Sequence, residues 1–402
     1  MTTKSSDFLV VGGGVIGVCL ALEARRRYPS SRVTVLEKEK NCGAHASGRN
    51  SGVLHAGFYY TADSLKARFT RDGNGAMTAY CQERGLRINR CGKLVVAKNE
   101  QELEGLTELM RRGTLNGVEL NEVTVGEARE IEPRVKTCER ALFSPTTSSV
   151  DPVEVMRSLV QDARDAGIDI RTDTAYLGHD DRSVRTSDGR LSAGYVVNAA
   201  GLYADRIAAD FGFSRDYCII PFKGLYLYAD EPVGAIRTHI YPVPDLRNPF
   251  LGVHFTVTAH GKIKIGPTAI PAFWREHYSG LGNFRLGELA EIVTQEMRLW
   301  WHNEFDFRRL AREELAKYSR ARMARLASAL ATGVDPKRYR VRGAPGLRAQ
   351  LFNVRTRRLE MDFRFEGDRR SFHVLNAVSP AFTCAIPFTR FLFDRIEEHL
   401  AQ

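Results

Sequence analysis

Three glycines and one acid near the start of the chain have the spacing of a dinucleotide grip. Gly12, Gly14 and Gly17 follow an apolar run, Phe8–Val11, and open a helical pattern that continues to about Arg27. A second apolar run, Val33–Leu36, ends on Glu37, twenty positions after Gly17. Each residue type has a physical task. Gly12 permits a tight turn, Gly14 lets backbone approach a pyrophosphate, and Gly17 lets helix pack on strand. The helix start, with Val15 and Ile16, offers unpaired N–H groups and partial positive charge to phosphates. Glu37 suits the hydroxyls of an adenosine ribose. The glycines alone are a weak signal; strand, turn, helix, strand and acid in register are a strong one. An apolar run soon after Lys4 also resembles a secretory leader. A leader would end in a small-residue cleavage site, whereas Arg25, Arg26 and Arg27 follow here, so no leader is expected.

Further segments have the small residues needed to lie against a cofactor. Cys42–Gly52 is a loop of small and polar residues, with Ala46, Ser47, Asn50, Ser51 and Gly52 as candidates for contact. Tyr195–Gly201 reads as a buried strand that ends in Ala199, Ala200 and Gly201. Ser379-Pro380-Ala381 opens a last helix, with Ser379-Pro380 as its cap, that runs to about Leu400. One fingerprint would serve either nicotinamide or flavin. Cofactor-type segments at the start, middle and far part of the chain, separated by a strand-rich insert, suit an extended FAD. The N-terminus of the last helix is suited to negative charge developing at the flavin N1 and C2 carbonyl.

The 402 residues carry a formal charge of +10, much of it arginine. Nucleic acid, an anionic membrane surface and an acidic small substrate are the competing readings. No nucleic-acid module is present, so nucleic acid is not expected. The densest patch holds Arg308, Arg309, Arg312, Lys317, Arg320, Arg322 and Arg325 against Glu313 and Glu314. Leu310, Leu315, Met323 and Leu326 interleave it, and Trp300 and Trp301 lie just upstream. That pattern reads first as a solvated helix face and second as a face for an anionic membrane. Seven cysteines are scattered without metal-ligand spacing, which fits a reducing cytoplasm and no metal site. No apolar run is long enough to span a bilayer. The expected setting is cytoplasmic, with peripheral attachment at the inner face of the membrane as the second possibility.

The remaining pattern alternates. A helix is expected over about 64–84, a strand over 91–97, two short helices over 100–135 and a turn-rich loop over 144–149. Asp151-Pro152 opens a helix, followed by strands at 168–172 and 176–186. Residues 221–268 read as an antiparallel sheet with alternating aromatics, 284–331 as helical, and Phe372–Asn376 as a last strand. The fold class is α/β: a Rossmann-like FAD-binding domain with an inserted antiparallel-sheet substrate domain. The cofactor domain is expected from 1–90, 150–215 and 340–402, and the substrate domain from 91–149 and 216–339.

Several runs resemble the D-amino-acid-oxidase-like flavoproteins, and within them the L-2-hydroxyglutarate oxidase/dehydrogenase family. They are Ser47-Gly-Arg-Asn-Ser-Gly-Val-Leu-His-Ala-Gly-Phe-Tyr-Tyr60 with Ser64-Leu-Lys-Ala67, Pro221-Phe-Lys-Gly224, and the long run from Ile240 to Thr256. Gly343-Ala-Pro-Gly-Leu-Arg-Ala-Gln350 and Val374–Pro380 complete the set. Together they span nearly the whole chain. The resemblance implies the glutathione-reductase type of FAD-binding fold and oxidation of a 2-hydroxy-dicarboxylate to the 2-oxo acid. It also implies oxygen or a membrane quinone as electron acceptor, and cofactor contacts from Lys38 and Gly346. The chain departs from the family at Leu225, where an acid is usual, at Phe382 and Cys384, and in the arginine-rich helical insert.

Oxidation of a 2-hydroxy acid requires hydride transfer from C2 to flavin N5 and a base for the hydroxyl proton. Histidine is the fitting type. His55, after the glycine-rich loop, is the first candidate and His254, on an aromatic strand, the second. A buried histidine that only hydrogen-bonds a cofactor carbonyl is the competing role for each. Carboxylates call for arginine, lysine or hydroxyl clamps: Arg348, Lys223, Tyr59, Tyr60 and Tyr241, with Lys66 weaker. The tyrosines serve equally well as core packing. Covalent flavin attachment would fall to His45, Cys42 or Cys384 and is not expected. An amine or amino-acid oxidase of the same superfamily, or a flavin-binding tailoring protein with an altered pocket, are the rival functions.

Overall fold

The computed structural model describes residues 5–180, 183–245 and 251–401. Residues 246–250 of the long run from Ile240 to Thr256 therefore lie outside the described residues. The chain divides into two compact units, one of residues 1–50, 152–221 and 348–402, the other of 51–151 and 222–347.

The first unit is built on parallel strands in the order Asp169–Arg171, Val33–Leu36, Ser5–Val11, Gly189–Asn198 and Ser371–Asn376. A hairpin, Tyr176–Asp180 with Ser183–Thr186, and the strand Arg364–Gly367 add antiparallel pairs. The run at 176–186, expected as one strand, is this hairpin. The central strands are apolar on both faces because helices cover both. Val10 lies under Gly17 of the first helix, Val15–Arg27. Leu9 and Val11 share a cluster with Ile207 of the helix Ala204–Asp210. The arginine run is structural: Arg27 donates to Glu23, Asp394 and Glu397 at 2.7, 2.7 and 2.5 Å. It thereby ties the first helix to the last, Ala381–Leu400.

The second unit centres on an eight-stranded sheet. Its middle runs Ile263–Gly266, His254–Val257, His239–Pro242, Lys93–Val96 and Arg140–Ser144. The pairs are antiparallel except His239–Pro242 with Lys93–Val96, which is parallel, so the sheet is mixed and not purely antiparallel as expected. Leu94, Val96, Ile240, Phe255, Ile263 and Ile265 point into one apolar core.

Residues 51–90 differ from expectation by belonging to this second unit. Val53–Leu54 and Ile88–Asn89 both pair with Ser148–Val150, which makes part of the expected 144–149 loop a strand. Helix Leu65–Glu83, capped by the Ser64 hydroxyl, lies between the two short strands in sequence. The stretch 100–135 carries helices Leu103–Leu115 and Val125–Ile131, with an edge strand, Asn121–Thr124, between them. The basic patch is two helices, Phe307–Ala316 and Arg320–Ala327. Its charge is partly cancelled locally, since Lys317 is buried against Glu314 and Arg309 pairs with Asp306 and Glu313.

Candidate functional site

In the first unit, close backbone contacts make the glycine turn tight. Gly12 has φ +113°, and a Cβ there would lie 2.5 Å from the Ala199 carbonyl oxygen. A Cβ on Gly17 would lie 1.9 Å from the Gly12 oxygen. The strand ends that carry Gly12 and Ala199 are thus in backbone contact, with Ala199 N–H donating to Val11 at 2.9 Å. The helix starting at Val15 has no acid in its first turn and no side-chain cap from Gly14. Val15 N–H donates to the Ser47 hydroxyl at 2.9 Å. Ile16 and Gly17 keep N–H groups that a helix cannot satisfy internally. This cradle fits a pyrophosphate: close backbone approach, unpaired donors and the positive end of the helix.

Glu37 has a second task that its position in the sequence does not reveal. It is buried, its Oε2 accepts from Gly13 N–H at 3.0 Å, and its Oε1 accepts from Glu39 N–H at 2.9 Å. Burial pushes its carboxyl up, opposed by those N–H donors. Glu37 therefore braces the turn. The 42–50 loop is tied to the same turn by Gly43 N–H on the Gly13 carbonyl, and Asn50 donates to the Ser47 carbonyl at 2.7 Å. Ala46 lies within this loop. Lys38 stands over the Tyr203 ring and pairs with Glu39. Gly201 takes φ +55° just beyond Ala200.

Ser379 does not cap the last helix as expected. Pro380 holds that position with no side-chain hydrogen bond, and Ala381 begins the helix. Of the residues considered for covalent attachment, Cys384 is fully buried, His45 pairs with Glu39 at 3.0 Å, and burial pushes the Cys42 thiol up to about 11. Arg348 lies on the strand Gly346–Asn353.

In the second unit the mixed sheet carries a polar face that the sequence reading found only in part. Lys93 is the register partner of His239, Ile240 of Phe255, and Thr256 of Lys264. Side chains alternate across a strand, so Lys93, His239, Tyr241, His254, Thr256 and Lys264 share the face opposite the apolar core. All six are buried. Tyr241 and His254 stack with centroids 3.7 Å apart. Lys93 Nζ lies 4.9, 4.8 and 4.8 Å from the ring centroids of Phe58, Tyr59 and Tyr241. Lys264 donates to the Ser51 carbonyl at 3.1 Å and stands over the Tyr226 ring. The Gly52 carbonyl accepts from Val150.

Hydrogen bonds fix the histidine tautomers. His254 Nδ1 lies 2.8 Å from the Gly252 carbonyl, which can only accept, so the proton is on Nδ1 and the basic lone pair on Nε2. His239 is reversed. Its Nδ1 accepts from Val257 N–H at 3.1 Å, and its Nε2 faces Cys91 and Ser149 at 3.4 Å. Both His239 nitrogens are engaged, which makes it structural. Burial lowers His254 to about 3 and Lys93 to about 7, each on the neutral side of its ordinary behaviour.

Tyr59, Tyr241 and His254 are thus brought together. Tyr60 stands beside Lys66, 6.0 Å from Nζ to ring. Lys223 is buried on the strand Tyr217–Gly224, and burial lowers its amine to about 8. The His55 carbonyl accepts from Asn74 Nδ2 at 3.2 Å, and its side chain is half-buried. Leu225 is buried, and its N–H donates to the Thr268 hydroxyl. Lys93, His239 and Lys264 were missed as site residues. Their signal was the placing of one basic residue among apolar neighbours in each of three short strands.

The FAD dependent oxidoreductase family pattern matches residues 7–387. L-2-hydroxyglutarate dehydrogenase, mitochondrial, of Homo sapiens is 34% identical over 99% of this chain and 90% of that protein. The protein of the same name from Nematostella vectensis is 36% identical, over 98% and 90%. Among solved structures, the FAD-bound, dithionite-reduced L-α-glycerophosphate oxidase of Mycoplasma pneumoniae has a similar fold. Its TM-score is 0.78 with 21% identity, covering 98% of this chain and 95% of that one.

Proposed function

The chain belongs to the family of FAD-dependent oxidoreductases, and from that premise we propose that it oxidises L-2-hydroxyglutarate, or a close 2-hydroxy acid, to the 2-oxo acid. The observation that carries this reading is near full-length likeness to proteins named for that reaction, at 34–36% identity. Bound FAD, held by Gly12, Gly14, Gly17, Ser47 and Glu37, supplies a two-electron acceptor for the C2 hydrogen. The chain's own residues handle charge and protons. His254, neutral and oriented by the Gly252 carbonyl, takes the hydroxyl proton at Nε2. An anion arriving nearby raises its basicity, since opposite charge favours the protonated form. Tyr59, Tyr60, Tyr241 and Lys223 offer donors to the carboxylates. Arg348 is a further guanidinium clamp on the strength of its Gly-Leu-Arg-Ala-Gln setting.

Electrons leave to oxygen or to a quinone, and the quinone route places the enzyme at an anionic membrane surface on the cytoplasmic side. Among the described residues no helix is long and apolar enough to cross a membrane. Helix Leu286–His302 supports surface attachment. It buries Glu288 and Glu296 yet exposes Leu286, Met297, Trp300 and Trp301, with Trp301 78% exposed. Arg308 donates to the Trp300 and Trp301 carbonyls, and Arg312 stands over the Trp300 ring.

Anaerobic titration of the yellow holoenzyme tests the substrate. L-2-hydroxyglutarate should bleach the flavin band while glycine, D-alanine and L-proline leave it intact. Bleaching by an amino acid alone would make the protein an amino-acid oxidase; bleaching by none of them would make it a flavin-binding protein without this chemistry.

A further inference from the structure

Among the described residues, the polar face of the mixed sheet holds four basic side chains and no carboxylate. Lys93 is 0% exposed, and its ammonium nitrogen has no hydrogen-bond partner among the described residues. It is enclosed by three aromatic rings, two from the irregular stretch that carries Phe58 and Tyr59 and one from Tyr241 on the adjacent strand. Tyr59 Oη is likewise buried without a partner. Lys264 differs, because the Ser51 carbonyl accepts a hydrogen bond from it and Asp151 is within electrostatic reach. Ring faces attract a cation, but far more weakly than the cost of taking an ammonium out of water. The groups facing Lys93 add no negative charge at neutral pH. Cys91 and Tyr241 are pushed up by burial, and His239 and His254 are neutral. Lys93 therefore sits with its proton loosely held, in a place where an arriving anion would fix it.

We propose that Lys93 is the counter-charge of the anionic substrate, a positioning residue that takes up a proton from solvent when a carboxylate reaches this face. This rests on the 2-hydroxy acid reading above and adds to it. The face meets its ligand with a charge made on demand. The proton moves from bulk water to the Lys93 amine, no bond to the ligand forms, and the new ammonium acts through the Tyr59 and Tyr241 rings. Those rings, polarised by the charge, present stronger O–H donors. A second carboxylate on the substrate is thereby favoured over an uncharged end.

The experiment is calorimetric titration of oxidised holoenzyme with glutarate, a dicarboxylate with no hydroxyl to oxidise, at pH 8 in two buffers of different ionisation enthalpy. Glutarate should bind with uptake of roughly half a proton or more. Lys93→Arg should bind without uptake, and Lys93→Met should bind about tenfold more weakly at this pH, the equivalent of raising the Lys93 amine by about two pKa units on binding, also without uptake. Absent binding, absent uptake in the unmutated enzyme, or uptake that persists in Lys93→Met and so belongs to His239, His254 or Lys264, each overturns the role. L-2-hydroxyglutarate turnover is measured alongside. Turnover without proton uptake removes only the Lys93 inference, whereas uptake without turnover removes the substrate.

Discussion

The imidazole of His254 lies flat on the ring of Tyr241, with planes 19° apart. Stacking fixes the ring plane, and the Gly252 carbonyl fixes rotation within it by claiming Nδ1. Nε2 is left as the single basic atom, aimed by two constraints that involve no ligand. A base held in this way needs no reorganisation when it accepts a proton.

His254→Gln should therefore slow flavin reduction by L-2-hydroxyglutarate about 10²–10⁴-fold, the usual worth of a general base, while the protein stays yellow. His55→Ala should slow it less. Anaerobic stopped-flow traces of the two variants decide the matter; a dead His55→Ala beside a near-normal His254→Gln would exchange the roles.

Gly17→Ala should cost the flavin itself. The added methyl would lie 1.9 Å from the Gly12 oxygen, so helix and turn would have to separate. The 450 nm region of the purified variant is the readout, and about 1–3 kcal/mol of stability, typical of overpacking, should go with it. A yellow variant of ordinary stability would show that the turn is looser than drawn. Gly14→Ala is the milder neighbour, since its Cβ would meet only the Ser47 hydroxyl at 3.1 Å.

Helix Leu286–His302 turns acids inward. Burial raises Glu296 to about 8, and one of its oxygens has no hydrogen-bond partner. The sign follows from where protons reside. Between the ordinary value near 4.5 and about 8 the unfolded chain gives up this proton and the folded chain keeps it. Stability therefore falls as pH rises through that window. Glu296→Gln removes the loss and should stabilise by about 1–3 kcal/mol at neutral pH and by little at pH 5. Thermal melts of both proteins at pH 5 and pH 8 check this; a variant with no greater advantage at pH 8 would contradict it.

The exposed side of the same helix makes a separate prediction. Replacing Met297 and Trp301 by serine should weaken sedimentation with vesicles containing phosphatidylglycerol by about tenfold or more, from the apolar area no longer buried. Added salt should weaken the binding of the unmutated protein. Binding that ignores both changes would leave the basic helices as a solvated face.

The coenzyme grip was legible from the residues because its requirements are local. Gly12 and Gly17 must be small for contacts within a few positions or with one facing strand end, and Glu37 follows the next strand in a fixed pattern. The polar face was not legible because it is assembled by register. Lys93 and His239 are partners only through a parallel pair between distant segments, and nothing near Lys93 in sequence states which strand will lie beside it. His254 and Tyr241 were singled out as separate candidates, while their stacking follows from strand register and the opposite tautomers of His254 and His239 from hydrogen-bond partners. The boundary at residue 51 was misplaced for a related reason. The two-residue strand Val53–Leu54 is too short to advertise itself and is defined by its partner, Ser148–Val150.

The Arg27 clamp has a consequence for biosynthesis. The parallel sheet gains its strand Ser371–Asn376, and Arg27 its acids Asp394 and Glu397, only after residues 222–347 have been made. During translation the sheet and the first helix must wait, one edge unpaired and the Arg27 guanidinium short of two acids, while a whole second unit emerges from the ribosome. A chain arrested before Ala381, lacking Asp394 and Glu397, should then be cut by protease faster than the full chain.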